Sequence, residues 1–161
     1  MEILKAGNGR TVVKSRGIKE EMDCGLVIPA QFLRGSNRCK TRTGKEVIIK
    51  DHTQVEAPTG EWIVRDEHII AEIGEGKIFP AKNWIHTRKC ADPKEEIITS
   101  LSTRKNQFAE ILAIGDGSTL DSAYTGWLAY VNEDALSIQA VEDGFDEWLI
   151  HLDDVLFVTE G

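Results

Sequence analysis

The chain has 161 residues, 41% hydrophobic and 29% charged, with 27 Asp+Glu against 19 Lys+Arg. That length holds one domain or two small ones, with enough apolar residues for a core. The acidic balance repels phosphate backbones and argues against nucleic acid as a partner, and no apolar run reaches the roughly 20 residues of a membrane helix.

In chain order, short aliphatic runs bounded by Gly, Asn, Asp or Pro predict strands. They are TVVK (11–14), GLVIPA (25–30), EVIIK (46–50), EWIVR (61–65) and HIIAEI (68–73), then WIHTR (84–88), AEILAI (109–114), WLAYV (127–131), LSIQAV (136–141), EWLIH (147–151) and VLFV (155–158). The basic run RGSNRCKTRTGK (34–45) reads as a solvated loop, with a local anion patch as its functional alternative. APTGEW (57–62) and VEDGFDEW (141–148) carry turn signals, the second a hairpin in which Asp-Gly supplies positive φ. NQFAEIL (106–112) fits a helix or a strand. The pattern predicts an all-β fold of barrel type with long loops.

Two internal matches occur in the same order. EILKAGNG (2–9) is echoed by EILAIGDG (110–117), and EWIVRDEHIIAEIGEG (61–76) by EWLIHLDDVLFVTEG (147–161). Together they predict two tandem units, the first carrying an insertion around the basic run. Each Gly-x-Gly after an aliphatic run reads as a tight reversal; neither octet has the third Gly or the Lys of a phosphate loop. Trp62 and Trp148 begin matching runs and read as packing residues.

Chemistry finds little support. Ser100, Ser102 and Ser118 lack a nucleophile-elbow context, and the acidic run Glu142, Asp143, Asp146, Glu147 reads as a solvated turn. His52, His68, His86 and His151 have no metal-ligand spacing. Cys24, Cys39 and Cys90 are odd in number and widely spaced, which fits reduced thiols. No charged-then-apolar leader is seen, so a cytoplasmic protein is expected. The polar segment 91–108, ADPKEEIITSLSTRKNQF, holds Ile97, Ile98 and Leu101, read either as an ordinary buried pair in a connection or as an apolar anchor for a partner's groove.

Residues 77–161 resemble the GroES-type co-chaperonins, the small partner rings of the chaperonin GroEL. Pro80–Lys89 is similar to that family's first strand, 91–104 to its mobile loop, and Ile97-Ile98-Thr99, extended to Leu101, to the loop's chaperonin-binding anchor. Phe108–Gly117 resembles its Gly-x-Gly strand, Gly126–Val131 the next strand and Glu147–Val158 its ending. Thr99 departs from an all-aliphatic anchor, Glu95-Glu96 replaces the usual Gly pair, and 118–125 is short for a roof hairpin. The N-terminal half admits two alignments. One places 2–9 and 25–30 on the later family strands; the other takes GRTVVK as a first strand, SRGIKEEMDC as a loop and GLVIP as its aliphatic end. The resemblance implies two tandem GroES-like units, each a partly open β-barrel: a diverged one at 1–76 with an inserted basic loop and a co-chaperonin unit at 77–161. It implies no enzyme activity, no cofactor and no metal. The implied partners are a GroEL-like chaperonin, enclosed unfolded clients and further copies in a heptameric ring, with neither nucleic acid nor membrane bound; the source could be a phage. The alternative is a β-barrel structural or assembly protein, for example of a phage, without a chaperonin partner.

Overall fold

The computed structural model describes residues 2–15, 37–90, 107–141 and 146–160. The chain divides into two compact units, Met1–Lys77 and Ile78–Gly161. The first contains β1 (Arg10–Ser15), β2 (Arg38–Thr41), β3 (Glu46–Ile49), β4 (Val55–Glu56), β5 (Trp62–Arg65) and β6 (Ile69–Gly74), and β7 (Lys77–Pro80) spans the boundary. The second contains β8 (Trp84–Lys89), β9 (Phe108–Ile114), β10 (Leu128–Val131), β11 (Ile138–Gln139), β12 (Glu147–His151) and β13 (Val155–Thr159). The fold is all-β. Its two antiparallel sheets are not closed into barrels.

One sheet runs β4-β5-β1-β2-β3-β6-β7, the other β11-β12-β8-β9-β10-β13. Apart from β7 the orders superimpose strand for strand: β1 on β8, β2 on β9, β3 on β10, β4 on β11, β5 on β12 and β6 on β13. The register agrees as well. Val64 pairs with Thr11 as Ile150 pairs with Ile85, and Trp62 faces Val13 as Trp148 faces Thr87. One irregularity coincides, a register shift at Ile48/Ile49 against β6 and at Tyr130/Val131 against β13, while the shift at His86/Thr87 against β9 is recorded in the second sheet alone. A bulge bends its strand and deepens the twist.

The cores follow from this correspondence. Val13, Cys39, Val47, Ile49, Trp62 and Val64 cluster in the first unit; Ile85, Ala109, Ile111, Ala129, Val131 and Ile150 cluster in the second. Cys39, Val47, Ile49 and Val64 occupy the positions of Ala109, Ala129, Val131 and Ile150. Side chains alternate across a strand, so conserving register conserves which of them face the core.

The Glu-Trp repeat is visible in space. In both units that strand ends in a single 3-10 turn, Asp66–His68 or Leu152–Asp154, before the last strand of the order. The backbone N–H of Asp66 donates to the Gly9 carbonyl, and that of Leu152 to the Asn83 carbonyl, each at 2.8 Å. Gly9 and Asn83 carry φ of 67° and 65°. Each closes a turn immediately before the first strand of its unit, with Arg10 N–H on Gly7 O and Trp84 N–H on Ala81 O.

The octet pairing is corrected by the same geometry. Residues 2–7 form no strand and lead into β1, whereas 110–114 are the latter part of β9. The N-terminal counterpart of β9 is β2, so EILKAGNG and EILAIGDG are unrelated in position. The similarity reflects a shared local need, an aliphatic stretch followed by a Gly-x-Gly turn. The second of the two N-terminal alignments, with GRTVVK as first strand, matches the strand order. The basic run is corrected too: β2 and the turn to β3 occupy 38–45, so it is a hairpin with Arg38 and Cys39 buried rather than an inserted loop. Residues 108–112 of NQFAEIL are strand. GLVIPA and the tip of VEDGFDEW lie outside the described residues, although β11 and β12 pair antiparallel on either side of that tip. Among the described residues no helix is long and apolar enough to cross a membrane.

Candidate functional site

Ile97, Ile98, Thr99 and Leu101 lie outside the described residues, on the connection between β8 and β9. The structure defines the frame that holds this connection. At its start Lys89 pairs with Ala109 across the β8–β9 ladder, and the Lys89 N–H donates to the Asp146 carbonyl at 2.8 Å. The Cys90 N–H reaches the Phe108 carbonyl at 3.2 Å. At its end Gln107 is held three times against β10. Its carbonyl accepts from Val131 N–H at 2.9 Å, its Nε2 donates to the Val131 carbonyl at 2.9 Å, and its Oε1 accepts from the Tyr130 hydroxyl at 2.6 Å. These hydrogen bonds, part-buried at Gln107, hold both ends of the connection.

Between these ends lies a recess of about 360 Å³, floored by Ala109, Val131 and Ile150 and walled by Trp148 and Phe108. The Lys89 ammonium sits 5.2 Å from the Trp148 ring centroid, a cation–π distance. Thr87 is fully buried and donates its hydroxyl to the Trp148 carbonyl at 3.1 Å. Thr87 stands where the first unit has Val13.

The first unit has the same frame. Ser15 of β1 pairs with Cys39 of β2, and the Asn37 carbonyl accepts from Ile49 N–H at 2.8 Å, as Gln107 does from Val131. Residues 16–36 therefore join the same two strands in the first unit that 91–106 join in the second. The aliphatic run Leu26-Val27-Ile28 belongs to that connection and lies outside the described residues. Asn37 and Gln107 were missed from sequence; Asn37 acts through its backbone carbonyl, which any residue supplies, and the amide side chain of Gln107 gave no separate signal.

Charge in the second unit concentrates beside this frame. His86 Nε2 lies 2.9 Å from Glu147 Oε1 without hydrogen-bond alignment. Burial holds the His86 pKa below its ordinary value; Glu147 opposes that shift and Arg88 adds to it. Burial pushes the Cys39 thiol up to about 12 and also raises Cys90, so neither is a ready thiolate near neutrality. No group of three or more His, Cys, Asp or Glu able to hold a metal occurs among the described residues. Arg42, from the basic run, pairs with Glu61 at 3.0 Å.

No family model, curated protein or solved structure matches the chain.

Proposed function

We propose that this chain is a co-chaperonin that caps a GroEL-like chaperonin ring and assists ATP-dependent folding of enclosed clients. The observation that carries the reading is the repeated frame: two units of one strand order, each with a long connection between its first two equivalent strands. Both connections contain an aliphatic run, Leu26-Val27-Ile28 in one and Ile97-Ile98 with Leu101 in the other. In this reading each run enters an apolar groove of the chaperonin, with Thr99 as the polar member of the Ile97-Ile98-Thr99 anchor. The chain performs no catalysis, binds no cofactor, acts in the cytoplasm and assembles with its own copies into a ring. The second reading, a structural or assembly protein of a phage, has no specific observation in its favour.

The energetics suit a reversible cap. Burying one Ile stabilises by roughly 1.5–3 kcal/mol. Ordering a segment on binding costs about 2–5 kcal/mol. A single connection therefore binds weakly, and several on one assembly bind by avidity while staying releasable.

The test is co-elution of the purified chain with a GroEL-type chaperonin in the presence of ATP. Wild type should co-elute, and Ile98→Asp should lose most of that binding while keeping its own mass and circular dichroism. Failure of wild type to co-elute, or unchanged binding by Ile98→Asp, overturns the assignment.

A further inference from the structure

The chain is acidic as a whole, with a formal net charge of -8, yet its first unit holds a cleft whose charged lining is all basic. The cleft measures about 530 Å³. Lys5 comes from the stretch before β1, Arg10 opens β1, and Arg42 and Lys45 stand on the turn from β2 to β3. Thr41 and Thr43 add hydroxyls, and among the described residues no carboxylate lines it. The turn is fixed by its own backbone. Thr41 N–H donates to the Lys45 carbonyl at 2.9 Å, and Gly44 N–H to the Thr41 carbonyl at 3.0 Å. One guanidinium N–H of Arg42 donates to the Ile3 carbonyl and so ties the N-terminal wall to that turn.

The second unit shows that the fold does not require this lining. Arg10 faces Arg65 as Trp84 faces His151, and Thr41 faces Val13 as Ile111 faces Thr87. Trp84, Ile85 and Ile111 therefore stand where the first unit has Arg10, Thr11 and Thr41. They are 8%, 0% and 0% exposed. One strand order is thus held by apolar side chains in one unit and lined by cations and hydroxyls in the other.

The cations are available. Neither Lys5 nor Arg10 has a carboxylate partner among the described residues. Arg42 pairs with Glu61 at 3.0 Å and Lys45 with Glu72 at 3.6 Å, but both pairs are exposed and such pairs are weak. Thr41 and Thr43 share one hydrogen bond at 2.9 Å, which leaves one hydroxyl proton for a ligand.

We infer that this cleft binds a compact oligophosphate group. Each terminal phosphate carries about −1.5 to −2 charges and three acceptor oxygens. Two linked phosphates therefore match a guanidinium fork, ammonium groups and a hydroxyl together, where a carboxylate has one charge and two oxygens. The volume lies within the range of about 300–1,000 Å³ of small-ligand sites. A compact anion stays within a Debye length of about 8 Å of the cations. An extended polyanion also meets the acidic excess of the rest of the chain. The inference goes beyond the co-chaperonin reading and does not depend on it.

The test is calorimetric titration of pyrophosphate into the full-length chain at low ionic strength, without chaperonin. Pyrophosphate should bind saturably at one equivalent per chain, and more weakly as salt is added. Lys5→Gln, Arg10→Gln and Lys45→Gln should each weaken it about two- to fivefold, and the triple variant should show no saturable binding. Lys82→Gln removes an equal charge outside the cleft and should leave binding unchanged. All four side chains are exposed, so circular dichroism and the unfolding midpoint should match wild type. A nucleoside diphosphate titrated in parallel identifies the source. Tighter binding than pyrophosphate assigns the group to a nucleotide, equal or weaker binding assigns it to a free anion, and either supports the cleft. The inference is overturned by wild type that binds neither ligand at millimolar concentration, or by a triple variant that binds like wild type. It is equally overturned if Lys82→Gln weakens binding as the cleft variants do, or if an oligonucleotide binds more tightly than both ligands. Ile98→Asp should bind pyrophosphate like wild type, so this result and the chaperonin result are read separately.

Discussion

A Cβ added to Gly115 would lie 1.8 Å from the Ala81 carbonyl oxygen, a backbone atom that cannot step aside. Gly117, two residues on, has φ +74° and open space except for the Lys82 side chain. The two glycines of one Gly-x-Gly thus answer different demands, close approach and backbone sign. Gly115→Ala should cost about 1–3 kcal/mol or more by overpacking, and Gly117→Ala about 1–2 kcal/mol through its left-handed backbone, with denaturant unfolding measuring both. His86 gives a pH dependence. Its folded pKa lies below the unfolded one, so the unfolded chain binds the proton first as pH falls. The stability held by neutral His86 is complete above the ordinary histidine pKa of about 6.5 and declines below it. Midpoints of unfolding between pH 7.5 and 5 should fall less in His86→Phe than in wild type. Positive φ at Asn83 was not legible, because Asn is common in turns for several reasons; only its equivalence to Gly9 isolates the backbone cause.

At the scale of elements, strands with two adjacent aliphatics were readable in advance. EVIIK, EWLIH and AEILAI fall on β3, β12 and β9 within a residue or so. β2, β4 and β7 were not. Arg38-Cys39-Lys40-Thr41 has one aliphatic-like side chain, and Val55–Glu56 is two residues long. Both are strands because their neighbours supply ladder partners, a tertiary term that outweighs local preference. Register behaves likewise: the octet match was a fair local similarity in the wrong place, since a turn motif reports the turn and not its position in the sheet. β9 tests the core assignment. Ile111 is fully buried in the second cluster, and Ile111→Ala should cost about 2–5 kcal/mol. The equivalent substitution at an exposed position such as Leu4 should leave the unfolding midpoint unchanged.

For the whole molecule, the proposed co-chaperonin role combined with the repeated frame predicts two chaperonin contacts per chain. Val27→Asp should weaken co-elution with an ATP-loaded chaperonin as Ile98→Asp does, and the double variant should bind less than either alone. An effect confined to Ile98→Asp would make the second unit the sole anchor. Composition and aliphatic spacing were sufficient for the all-β class, because alternation is a property of the chain itself. The Glu-Trp repeat was sufficient to mark a recurring local unit, because both copies keep the strand, the 3-10 turn and the last strand together. The alignment of the N-terminal half was beyond them. Two local similarities competed there, and only the ladder hydrogen bonds, made between strands far apart in sequence, select GRTVVK as the counterpart of WIHTRK. The contrast between Ile70, fully buried, and Leu156, 58% exposed, is also tertiary, since both are apolar residues of matching strands and only their packing distinguishes them.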